Sequence, residues 1–498
     1  MKGKTGYCWL LLAFALICCR GGRLDASAVI NDTVKVGLSY GSSAVTSANA
    51  EYDDTTANCF AFGYYDAGRH FRALGTIEDE TFVTVTSDPN MVLAGAAANP
   101  GGYRICTGGI VEPARGGLGY FSDTAVGVLD RNGGLLLLYD YGGMYSFALR
   151  AEGGSRSEPE TWHKGRKYYG GFEYQRRPGG ALTVCSVVDT EDYLRCVVPW
   201  EMSNAWPKEA LKAQAVCART YVMHASGRHS GFDVCSTTDC QAYYGIQTSG
   251  HGNSDAAVWA TEGECIYWKG ELIDAVYSAS DGGATESSLN VWGTDHPYLT
   301  GKTDPYEESV AASISGYTYE VNYTADSLSS RLRSKGYSVG TVASVRVQNT
   351  EVGNVASVTV TDTAGKSVTI KGEKCRSAFG TKSQRFSFGD AATAEPTVCV
   401  NGSGTLRDTE NIYLISGTGT VSTRSLTDGL TVMTNSGKQT LSSANGGGSS
   451  SAAGAFHIVG TGNGHNVGMS QWGANAMAKQ GLSYMDILNF YYTGVTVQ

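Results

Sequence analysis

The stretch YLRCVVPWEMSNAWPKEALKAQAVCARTY, residues 193–221, is the best starting point for interpreting the chain. A short apolar run ends at Pro199 and is followed by a single carboxylate, Glu201. Pro207 lies where the first helical position is expected, because proline is tolerated there. We therefore predict a strand over residues 194–198, then Glu201, then a helix that begins after Pro207.

Residues that recur at helical spacing give the predicted helix one face of mostly small apolar side chains and a second face that is basic. Glu209 lies in its first turn, where a negative charge suits the helix dipole. A carboxylate between a strand end and such a helix is a candidate catalytic acid. The alternative is that Glu201 is a surface turn residue, since structural carboxylates share such surroundings. The apolar face comprises Leu211, Ala215, Ala218 and Val222, and the basic face Lys208, Lys212 and Arg219.

Two later stretches, together with the first, resemble one family in the same order. They are YSASDGGATESSLNVWG at residues 277–293 and GHNVGMSQWGANAMAKQG at residues 464–481. The three motifs closely resemble the stage II sporulation protein D family, which also includes amidase-enhancer proteins of the LytB kind. The likeness extends from about Tyr168 to Thr493.

This resemblance implies an enzyme, a peptidoglycan lytic transglycosylase in which Glu201 is the catalytic acid and base. Such an enzyme cleaves the β-1,4 bond between N-acetylmuramic acid and N-acetylglucosamine and forms a 1,6-anhydro sugar. The resemblance also implies action on strands without stem peptides, in sporulation or wall remodelling. Two alternatives are a two-carboxylate hydrolase with Asp192 as the partner and a non-catalytic amidase enhancer that binds the wall. An N-acetylmuramoyl-L-alanine amidase is the expected protein partner.

Composition limits the other function classes. The chain has 498 residues, enough for two to four domains, and its 65 glycines indicate many turns and short strands. Its 29 tyrosines suit either stacking on sugars or covering exposed sheet. The formal charge is −9, without a dense basic run outside the N-terminus, which argues against nucleic acid as a partner.

The pattern predicts a multi-domain α+β fold, with short mixed strands around a catalytic helix and a β-rich N-terminal extension. Residues from about 96 to 150 suggest a small α/β unit, and the extension is interpreted as a structural or wall-binding spacer. Thr324 is expected to cap a helix that stops at Gly336. Ser483 and Asp486 are expected to form a capping box that opens a last helix, which ends at Thr493-Gly494. The predicted parts are residues 1–28 (signal peptide or anchor), 29–150 (N-terminal extension), 151–310 (catalytic core), 311–390 (supporting α+β subdomain), 391–460 (β-rich insertion with a Gly/Ser linker) and 461–498 (C-terminal helical part).

The N-terminus has the pattern of an export signal. Lys2 and Lys4 precede an apolar run over residues 8–19, and Ala26-Ser27-Ala28 offers a cleavage site. The run is shorter than a spanning helix needs. We expect an extracytoplasmic protein, either secreted or held at the membrane by this segment alone.

Thirteen cysteines are present, and one group of ligand-type residues stands apart from the scattered rest. His229, Cys235 and Cys240 are spaced so that an imidazole and two thiolates can surround one ion. On spacing alone, a Cys235–Cys240 disulfide fits equally well, and His224 is a competing imidazole. The resemblance implies a zinc ion held by His229, Cys235 and Cys240, with a structural role beside Glu201.

The remaining motifs supply candidate substrate contacts. Gln241 and Tyr243 directly follow the metal ligands and are expected to line a sugar groove. A turn of small residues allows backbone amides to approach a glycan closely. In the last motif, polar residues lie on a glycine-rich turn into a helix predicted over residues 467–480, where helix packing is the alternative role. The turn residues are Ser278, Ser280, Gly282 and Gly283, and the polar residues of the last motif are His465 and Gln471.

Overall fold

The computed structural model describes most of the chain after the N-terminal segment. The predicted leader, residues 1–28, and most of the predicted insertion and linker lie outside the described residues. Within the described part, no helix is long and apolar enough to cross a membrane. The described ranges are 32–53, 57–87, 102–114, 122–153, 161–225, 228–389 and 455–498, together with short strands between residues 398 and 449.

The N-terminal part is built from short, mostly antiparallel strands. The strand over residues 47–52 alternates buried and more exposed positions with the period of two that a strand imposes, whereas the strands over residues 126–129 and 182–189 are buried along nearly their whole length. The strands are β1 Thr33–Ser39, β2 Ser47–Tyr52, β3 Cys59–Tyr65, β4 Phe71–Ile77, β5 Phe82–Thr86, β6 Tyr103–Thr107, β7 Ile110–Ala114, β8 Val126–Leu129, β9 Leu135–Asp140, β10 Phe147–Glu152, β11 Thr161–His163, β12 Arg166–Tyr168, β13 Gly171–Arg176, β14 Leu182–Asp189 and β15 Val234–Cys235.

These strands form two sheets that share one hydrophobic core. One sheet has the order β15-β1-β14-β13-β10-β3-β4, and the other has the order β12-β11-β2-β5-β8-β9-β6-β7. Phe62 and Phe172 of the first sheet and Val85 and Leu137 of the second are fully buried in the same cluster. Described residues between 102 and 153 form strands without a helix, so the α/β unit predicted there is wrong.

The shared core extends from the sheets into the catalytic region. Strand β13 pairs with β10, and β14 pairs with β1, so strands from both sides of residue 150 lie in one sheet. The predicted boundary at residues 150–151 falls inside β10. The N-terminal strands are therefore part of the platform on which the helices that follow β14 pack.

The helices lie mainly in the second half of the chain. The longest helix of the described residues, α3, begins after Pro207, which is the residue preceding the first helical turn. The helices are α1 Thr190–Arg195, α2 Val198–Glu201, α3 Lys208–His224, α4 Gly252–Ala260, α5 Ser288–Trp292, α6 Ala325–Ser334, α7 Lys374–Phe379, α8 Gln471–Lys479 and α9 Tyr484–Tyr491, with 3-10 turns at Gly41–Ser43 and Glu307–Ser313.

The strand predicted over residues 194–198 is wrong, because this segment forms the end of α1 and the start of α2. Asp189 caps α1 by accepting a hydrogen bond from the backbone N–H of Glu191. A short buried apolar run does not distinguish a strand from a helix. Arg219 was also misplaced on a polar face, since it is buried against Glu191.

The predicted supporting subdomain has its own hydrophobic core. Thr324 caps α6 as predicted, and Leu328 and Leu332 face this core. Strand β31 (Ala455–Thr461) pairs with β19 (Thr318–Thr324) and with β23 (Phe386–Gly389), which gives a sheet of order β19-β31-β23; a second sheet has the order β22-β21-β20-β30. The later strands are β16 Ile266–Trp268, β17 Glu271–Leu272, β18 Tyr277–Ser278, β19 Thr318–Thr324, β20 Val342–Asn349, β21 Val355–Asp362, β22 Ser367–Lys371, β23 Phe386–Gly389, β24 Val398–Cys399, β25 Thr405–Leu406, β26 Ile412–Ile415, β27 Val421–Arg424, β28 Leu430–Thr434, β29 Gly437–Leu441, β30 Gly448–Ser449, β31 Ala455–Thr461, β32 Met469–Ser470 and β33 Thr496–Val497.

Two C-terminal helices pack into the same core. The helix predicted over residues 467–480 begins later, at Gln471, because β32 pairs with β18 and Ser470 caps α8. The capping box of Ser483 and Asp486 opens α9 as predicted. The α+β fold with a β-rich N-terminal region is confirmed.

Candidate active site

Glu201 is the last residue of α2, a helix of one turn placed between α1 and α3. Val198 and Pro199 are buried and anchor this turn, whereas Trp200 is 38% exposed and Glu201 is partly buried. The chain is extended immediately afterwards at Met202. The carboxylate therefore projects from a fixed turn at the edge of the core.

The three sequence motifs converge on the Glu201 carboxylate. The backbone N–H of Ala242 donates to Oε1 at 2.9 Å, and the side chain of Gln471 donates to Oε2 at 3.2 Å. The Tyr277 hydroxyl is a third hydrogen-bond partner. The contacts come from three separate segments, namely the loop after Cys240, the motif at residues 277–293 and the motif at residues 464–481, so the position of Glu201 depends on all three segments.

Burial raises the pKa of Glu201 above its ordinary value, and the three hydrogen bonds oppose that rise. The influences on this pKa do not include a neighbouring carboxylate among the described residues. Glu201 is thus a carboxyl that retains its proton to higher pH than an exposed glutamate, without a second acid beside it.

Gln241 and Tyr243 do not line a groove. Gln241 is buried, donates to the Tyr277 hydroxyl at 3.0 Å and accepts from the Tyr193 hydroxyl at 2.8 Å. Tyr243 is fully buried, stacks on Tyr193 and hydrogen-bonds Ser186. The expectation that they line the groove is therefore corrected: Gln241 orients Tyr277 from behind, and Tyr243 belongs to the core.

The small-residue turn is also mostly buried. Ser278 and Ser280 are buried, and a Cβ on Gly282 would lie 2.5 Å from the carbonyl oxygen of Thr461. Gly283 is partly exposed, with a φ of 110°, and a Cβ there would make only ordinary contacts, with Arg385 at 3.8 Å and Tyr317 at 3.9 Å. Of these four predicted contacts, the structure leaves Gly283 accessible and uses the other three to hold the turn in place.

The turn is fixed by Glu307, a buried acid that sequence reasoning missed. Its carboxylate accepts hydrogen bonds from the hydroxyls of Ser280 and Ser470. The backbone N–H groups of Asp281 and Gly282 each donate to it at 3.1 Å. Since Ser470 caps α8, Glu307 ties the turn to the helix that carries Gln471.

Asp281 and Asp304 lie beside Glu307, and the carboxylate oxygens of all three are within 4.8 Å of one another. Asp304 accepts a hydrogen bond of 2.7 Å from the Tyr491 hydroxyl. Burial and the two neighbouring acids raise the pKa of Asp281 well above its usual value. The three acids form a buried network behind the candidate active site.

His465 lies at the edge of the site, with its ring centroid 5.1 Å from that of Trp292. Its Nδ1 accepts from the backbone N–H of Val467 at 3.1 Å, and the ring also bonds the backbone of Tyr277. Burial lowers the pKa of His465 to about 4, with a smaller effect of Arg376. His465 is therefore a neutral residue that joins two of the motifs.

The predicted metal ligands come together in the loop that precedes Ala242. His229 Nε2 lies 3.2 Å from Cys240 Sγ, and the ligand atoms of His229, Cys235, Asp239 and Cys240 are within 4.8 Å of one another. Asp239 was not expected in this group. The competing imidazole, His224, instead faces Asp274 at 3.9 Å.

The chemistry of this group fits a tetrahedral ion. One imidazole, two sulfurs and one carboxylate are the donors that zinc prefers. Cys235 and Cys240 are free thiols in this structure, as are the other described cysteines. A hydrogen bond from Cys240 lowers the pKa of Cys235 to about 4, so a thiolate is available at neutral pH.

The N-terminal sheet holds this loop. Strand β15, which carries Cys235, pairs in parallel with β1. The Arg69 guanidinium donates to both oxygens of Asp233, at 2.5 and 2.7 Å, and Asp233 also accepts from the backbone N–H of Lys35 at 2.9 Å. The N-terminal extension therefore positions the candidate metal group.

The two acidic residues upstream of Glu201 form ion pairs with arginines. Asp192 accepts from Arg195 at 2.9 Å, and Glu191 forms a two-point pair with Arg219 at 2.6 and 2.8 Å. Both acids lie on α1 and are buried. Asp192 is thus placed as a structural ion-pair partner.

Sequence reasoning missed four contributors, Ala242, Tyr277, Asp239 and Glu307. Tyr277 opens a motif that was singled out, and its hydroxyl was the available signal. Asp239 lies beside Cys240, where an acidic ligand can be sought. Ala242 acts through its backbone, and Glu307 lies outside the motifs, so no side-chain pattern indicates either.

The chain belongs to the stage II sporulation protein D family, whose model, described as "Stage II sporulation protein", matches residues 178–268. An uncharacterized protein of Brachyspira hyodysenteriae is 31% identical over 336 residues, which cover 67% of this chain and 73% of that protein. Stage II sporulation protein D of Bacillus amyloliquefaciens is 26% identical over 326 residues, covering 62% and 74% respectively.

A relative with a different name is the amidase enhancer of Bacillus subtilis. It is 32% identical over 315 residues, which cover 61% of this chain and 40% of the enhancer. The present chain thus aligns with about two fifths of the enhancer's length. The names of the sporulation protein and of the amidase enhancer point to different functions.

Proposed function

We propose that this protein is a lytic transglycosylase that cuts peptidoglycan glycan strands, with Glu201 as the general acid and base. The observation that carries the proposal is the environment of Glu201: one partly buried carboxyl, with a raised pKa and three hydrogen-bond partners. A hydrolase commonly needs two carboxylates. A transglycosylase needs one, because the sugar supplies its own nucleophile.

The Glu201 carboxyl acts twice in the reaction, first as a proton donor and then as a proton acceptor. Protonated Glu201 gives its proton to the oxygen that links N-acetylmuramic acid to N-acetylglucosamine, and the bond from C1 to that oxygen breaks. The C6 hydroxyl of the same muramic acid bonds to C1 and returns its proton to Glu201. An intramolecular attack gains from proximity, and the product is a 1,6-anhydro sugar.

The surrounding residues keep Glu201 in place through this cycle. Ala242, Tyr277 and Gln471 direct hydrogen bonds at the carboxylate and stabilise its ionised form. Gln241 fixes the Tyr277 hydroxyl from behind. These hydrogen-bond donors stabilise the negative charge that the Glu201 carboxylate carries after it has given up its proton.

We assign zinc to His229, Cys235 and Cys240, with Asp239 as a fourth available ligand. A bound zinc ion would cross-link the loop that leads to Ala242, which makes its role structural. The proposed reaction does not require a metal-activated water. Ala242 follows Cys240 by two residues, so the conformation of this loop determines where the Ala242 N–H meets the Glu201 carboxylate.

The family relationship supports work on the cell wall outside the cytoplasm. A relative named for sporulation and one named for enhancing an amidase support peptidoglycan and an N-acetylmuramoyl-L-alanine amidase as substrate and partner. The second candidate function, a non-catalytic amidase enhancer, is favoured by the name of that relative alone.

The test is incubation of the full chain with intact and with peptide-stripped peptidoglycan, followed by mass analysis of the products. We expect anhydro-ended fragments from wild type and at least a hundredfold loss with Glu201→Gln, since general acid catalysis contributes roughly that much or more. Glu308→Gln, at an exposed position, is the matched control.

Other products would point to the alternatives. Reducing-end fragments would indicate a hydrolase and overturn the transglycosylase. An uncut glycan, together with faster cleavage by an added amidase, would indicate the enhancer function.

A further inference from the structure

The supporting subdomain is basic, although the chain as a whole is acidic. Residues 317–389 contain ten lysines and arginines against five aspartates and glutamates, in a chain whose formal charge is −9. Part of this positive charge lies around two neighbouring cavities beside α7, which together we call the basic groove. One cavity has a volume of about 550 Å³ and is lined in part by Arg331, Lys335, Lys374 and Arg376, and the other has a volume of about 760 Å³ and is lined in part by Trp292, Lys371 and Lys374.

The acid that lines both cavities, Glu373, is already paired. Its Oε1 lies 3.2 Å from Arg376, and its Oε2 accepts from the Trp292 indole N–H at 2.9 Å. The other positive charges of the groove have no carboxylate partner among the described residues, namely Arg331, Lys335, Lys371 and Lys374. Four positive charges therefore lie together without an anion to balance them, although like charges repel one another.

Helix stability explains only part of this charge. Arg331 lies in the last turn of α6 and donates to the carbonyls of Ser377 and Ala378, at 2.9 and 2.8 Å. Lys374, by contrast, is the first residue of α7, where the helix dipole disfavours a positive charge. Lys371 is the last residue of β22 and is exposed. Since neither lysine stabilises the end of a helix, their position indicates an external anion.

The shape of the groove favours a chain-like anion over a flat surface. A membrane presents its phosphates in a plane, whereas these charges line two cavities that share Lys374. Ser377 and Thr381 also line the smaller cavity, and phosphate oxygens in complexes are commonly held by arginine, lysine and hydroxyl groups together. A phosphodiester chain carries one charge per repeat without bulky side groups, so it can follow such a groove.

We propose that the basic groove binds a linear phosphodiester polymer of the kind attached to bacterial walls. Its lysines and arginine pair with successive phosphates, and the counterions that these phosphates release drive the binding. Trp292 lines the groove, and its ring centroid lies 5.1 Å from that of His465 at the edge of the candidate active site. The polymer therefore holds the protein on the wall through a surface that the proposed reaction does not use.

The test measures binding of the full chain to poly(glycerol phosphate) by calorimetry at several salt concentrations. Single-stranded polyanions lose affinity with a slope of about −0.7 per neutralised charge in a plot of log K against log salt. Four charges predict a slope of roughly −3, or about a fiftyfold loss of affinity between 50 and 200 mM salt. Phosphatidylglycerol vesicles offer the same chemical group in a plane and should bind about tenfold more weakly per phosphate, because a plane reaches fewer of the four charges.

Substitution of two exposed lysines assigns the binding to the groove. Lys335→Gln combined with Lys374→Gln should make the slope shallower by about 0.7 for each lysine. The matched control is Lys479→Gln combined with Lys208→Gln, at exposed positions outside the subdomain. Lys479 is the last residue of α8, as Lys335 directly follows α6. Lys208 is the first residue of α3, as Lys374 is of α7, so the control removes equal charge from equivalent positions and should keep the wild-type slope.

Three outcomes would overturn the inference. The first is no binding of poly(glycerol phosphate) at low salt, or a control whose slope falls as far as that of the groove variant. The second is tighter binding to the vesicles than to the polymer, which would make the groove a membrane-facing surface. The third is equal binding of poly-L-glutamate, which would make it a surface for acidic chains in general. Cleavage of peptide-stripped strands, measured separately, should be the same in the groove variant and in wild type, so failure of the groove and failure of the proposed reaction are distinguishable.

Discussion

At the level of single residues, opposing effects determine the pKa of Glu201. Burial favours its protonated form, while Ala242, Tyr277 and Gln471 favour its ionised form. A general acid must begin each cycle protonated, so the rate should fall as pH rises through the raised pKa of Glu201. The alkaline side of the pH profile of kcat/KM therefore reports on this carboxyl.

Replacing Gln471 tests that assignment. Gln471→Met removes the donor 3.2 Å from Glu201 Oε2, which destabilises the ionised carboxylate and raises its pKa further. We expect the fall in kcat/KM at alkaline pH to move to higher pH. The measurement is a pH profile on peptide-stripped strands.

Gln480→Met is the control for that variant, because Gln480 is exposed at the far end of the same helix. Its profile should match that of wild type. An alkaline side that stays in place in Gln471→Met, or moves to lower pH, would mean that a group other than Glu201 controls the rate there.

The residue types of the site were easier to predict than their roles. The motifs singled out Glu201 as the acid and Gln471 as a substrate contact, and the structure places the two side chains 3.2 Å apart. Gln241 and Tyr243, by contrast, were placed in a groove because they follow Cys240, although their side chains point into the core. Spacing along a loop does not determine which side chain faces solvent.

At the level of elements, the predictions failed where burial was complete. The apolar run ending at Pro199 forms two short helices, because Asp189 caps the first and the core surrounds both. The amphipathic helices α6 and α9 were predicted correctly, since their caps are local and visible in sequence. A helix cap can be predicted from a few neighbouring residues, whereas the surroundings of a fully buried segment cannot be predicted from the sequence.

The pairing of β15 with β1 leads to a prediction about the metal. Arg69 neutralises the buried Asp233, two residues before Cys235. Arg69→Met leaves Asp233 without that charge and loosens the strand that presents Cys235. We expect the zinc dissociation constant to rise about tenfold, as changes around metal ligands often produce. Competition with a chromophoric chelator at fixed pH measures it.

Arg72→Met is the matched control, because Arg72 lies on β4 and pairs with Asp66 at the surface. It should leave the zinc affinity unchanged. Equal affinity in the Arg69 and Arg72 variants would contradict a role for the N-terminal sheet in holding the metal loop. The N-terminal sheet would then have only the spacer role that the sequence predicts.

At the level of the whole molecule, the N-terminal strands and the catalytic helices share one core. Composition suggested separable units, because glycine-rich turns interrupt the strands throughout. Strand pairing across residue 150 is a long-range property that a single sequence does not display. The supporting subdomain was easier to predict, since its helix and following strands are contiguous up to β23.

The buried acids behind the site make the stability of the whole molecule depend on pH. Asp281 has a pKa well above its ordinary value, because it is buried beside Glu307 and Asp304. The folded protein therefore keeps this proton at a pH where the unfolded chain has lost it. The resulting stabilisation is present at acidic pH and is lost as pH rises through the folded-state pKa.

Asp281→Asn should remove this dependence. The amide keeps an oxygen for the N–H of Gly283, 2.8 Å away in wild type, and adds a donor beside Glu307 without a charge. We expect the apparent Tm at alkaline pH to rise by about 1 °C, which for a chain of this size corresponds to roughly 1 kcal/mol. At acidic pH, where Asp281 is already protonated, the two proteins should melt together.

Thermal melts at mildly acidic and alkaline pH make the comparison, with Asp295→Asn, at an exposed position, as the control. The control should follow wild type at both pH values. An Asp281→Asn protein that melts below wild type at both would contradict a protonated Asp281. The three acids would then be ionised together in the fold, and the turn next to Glu201 would depend on charge at Asp281 rather than on its proton.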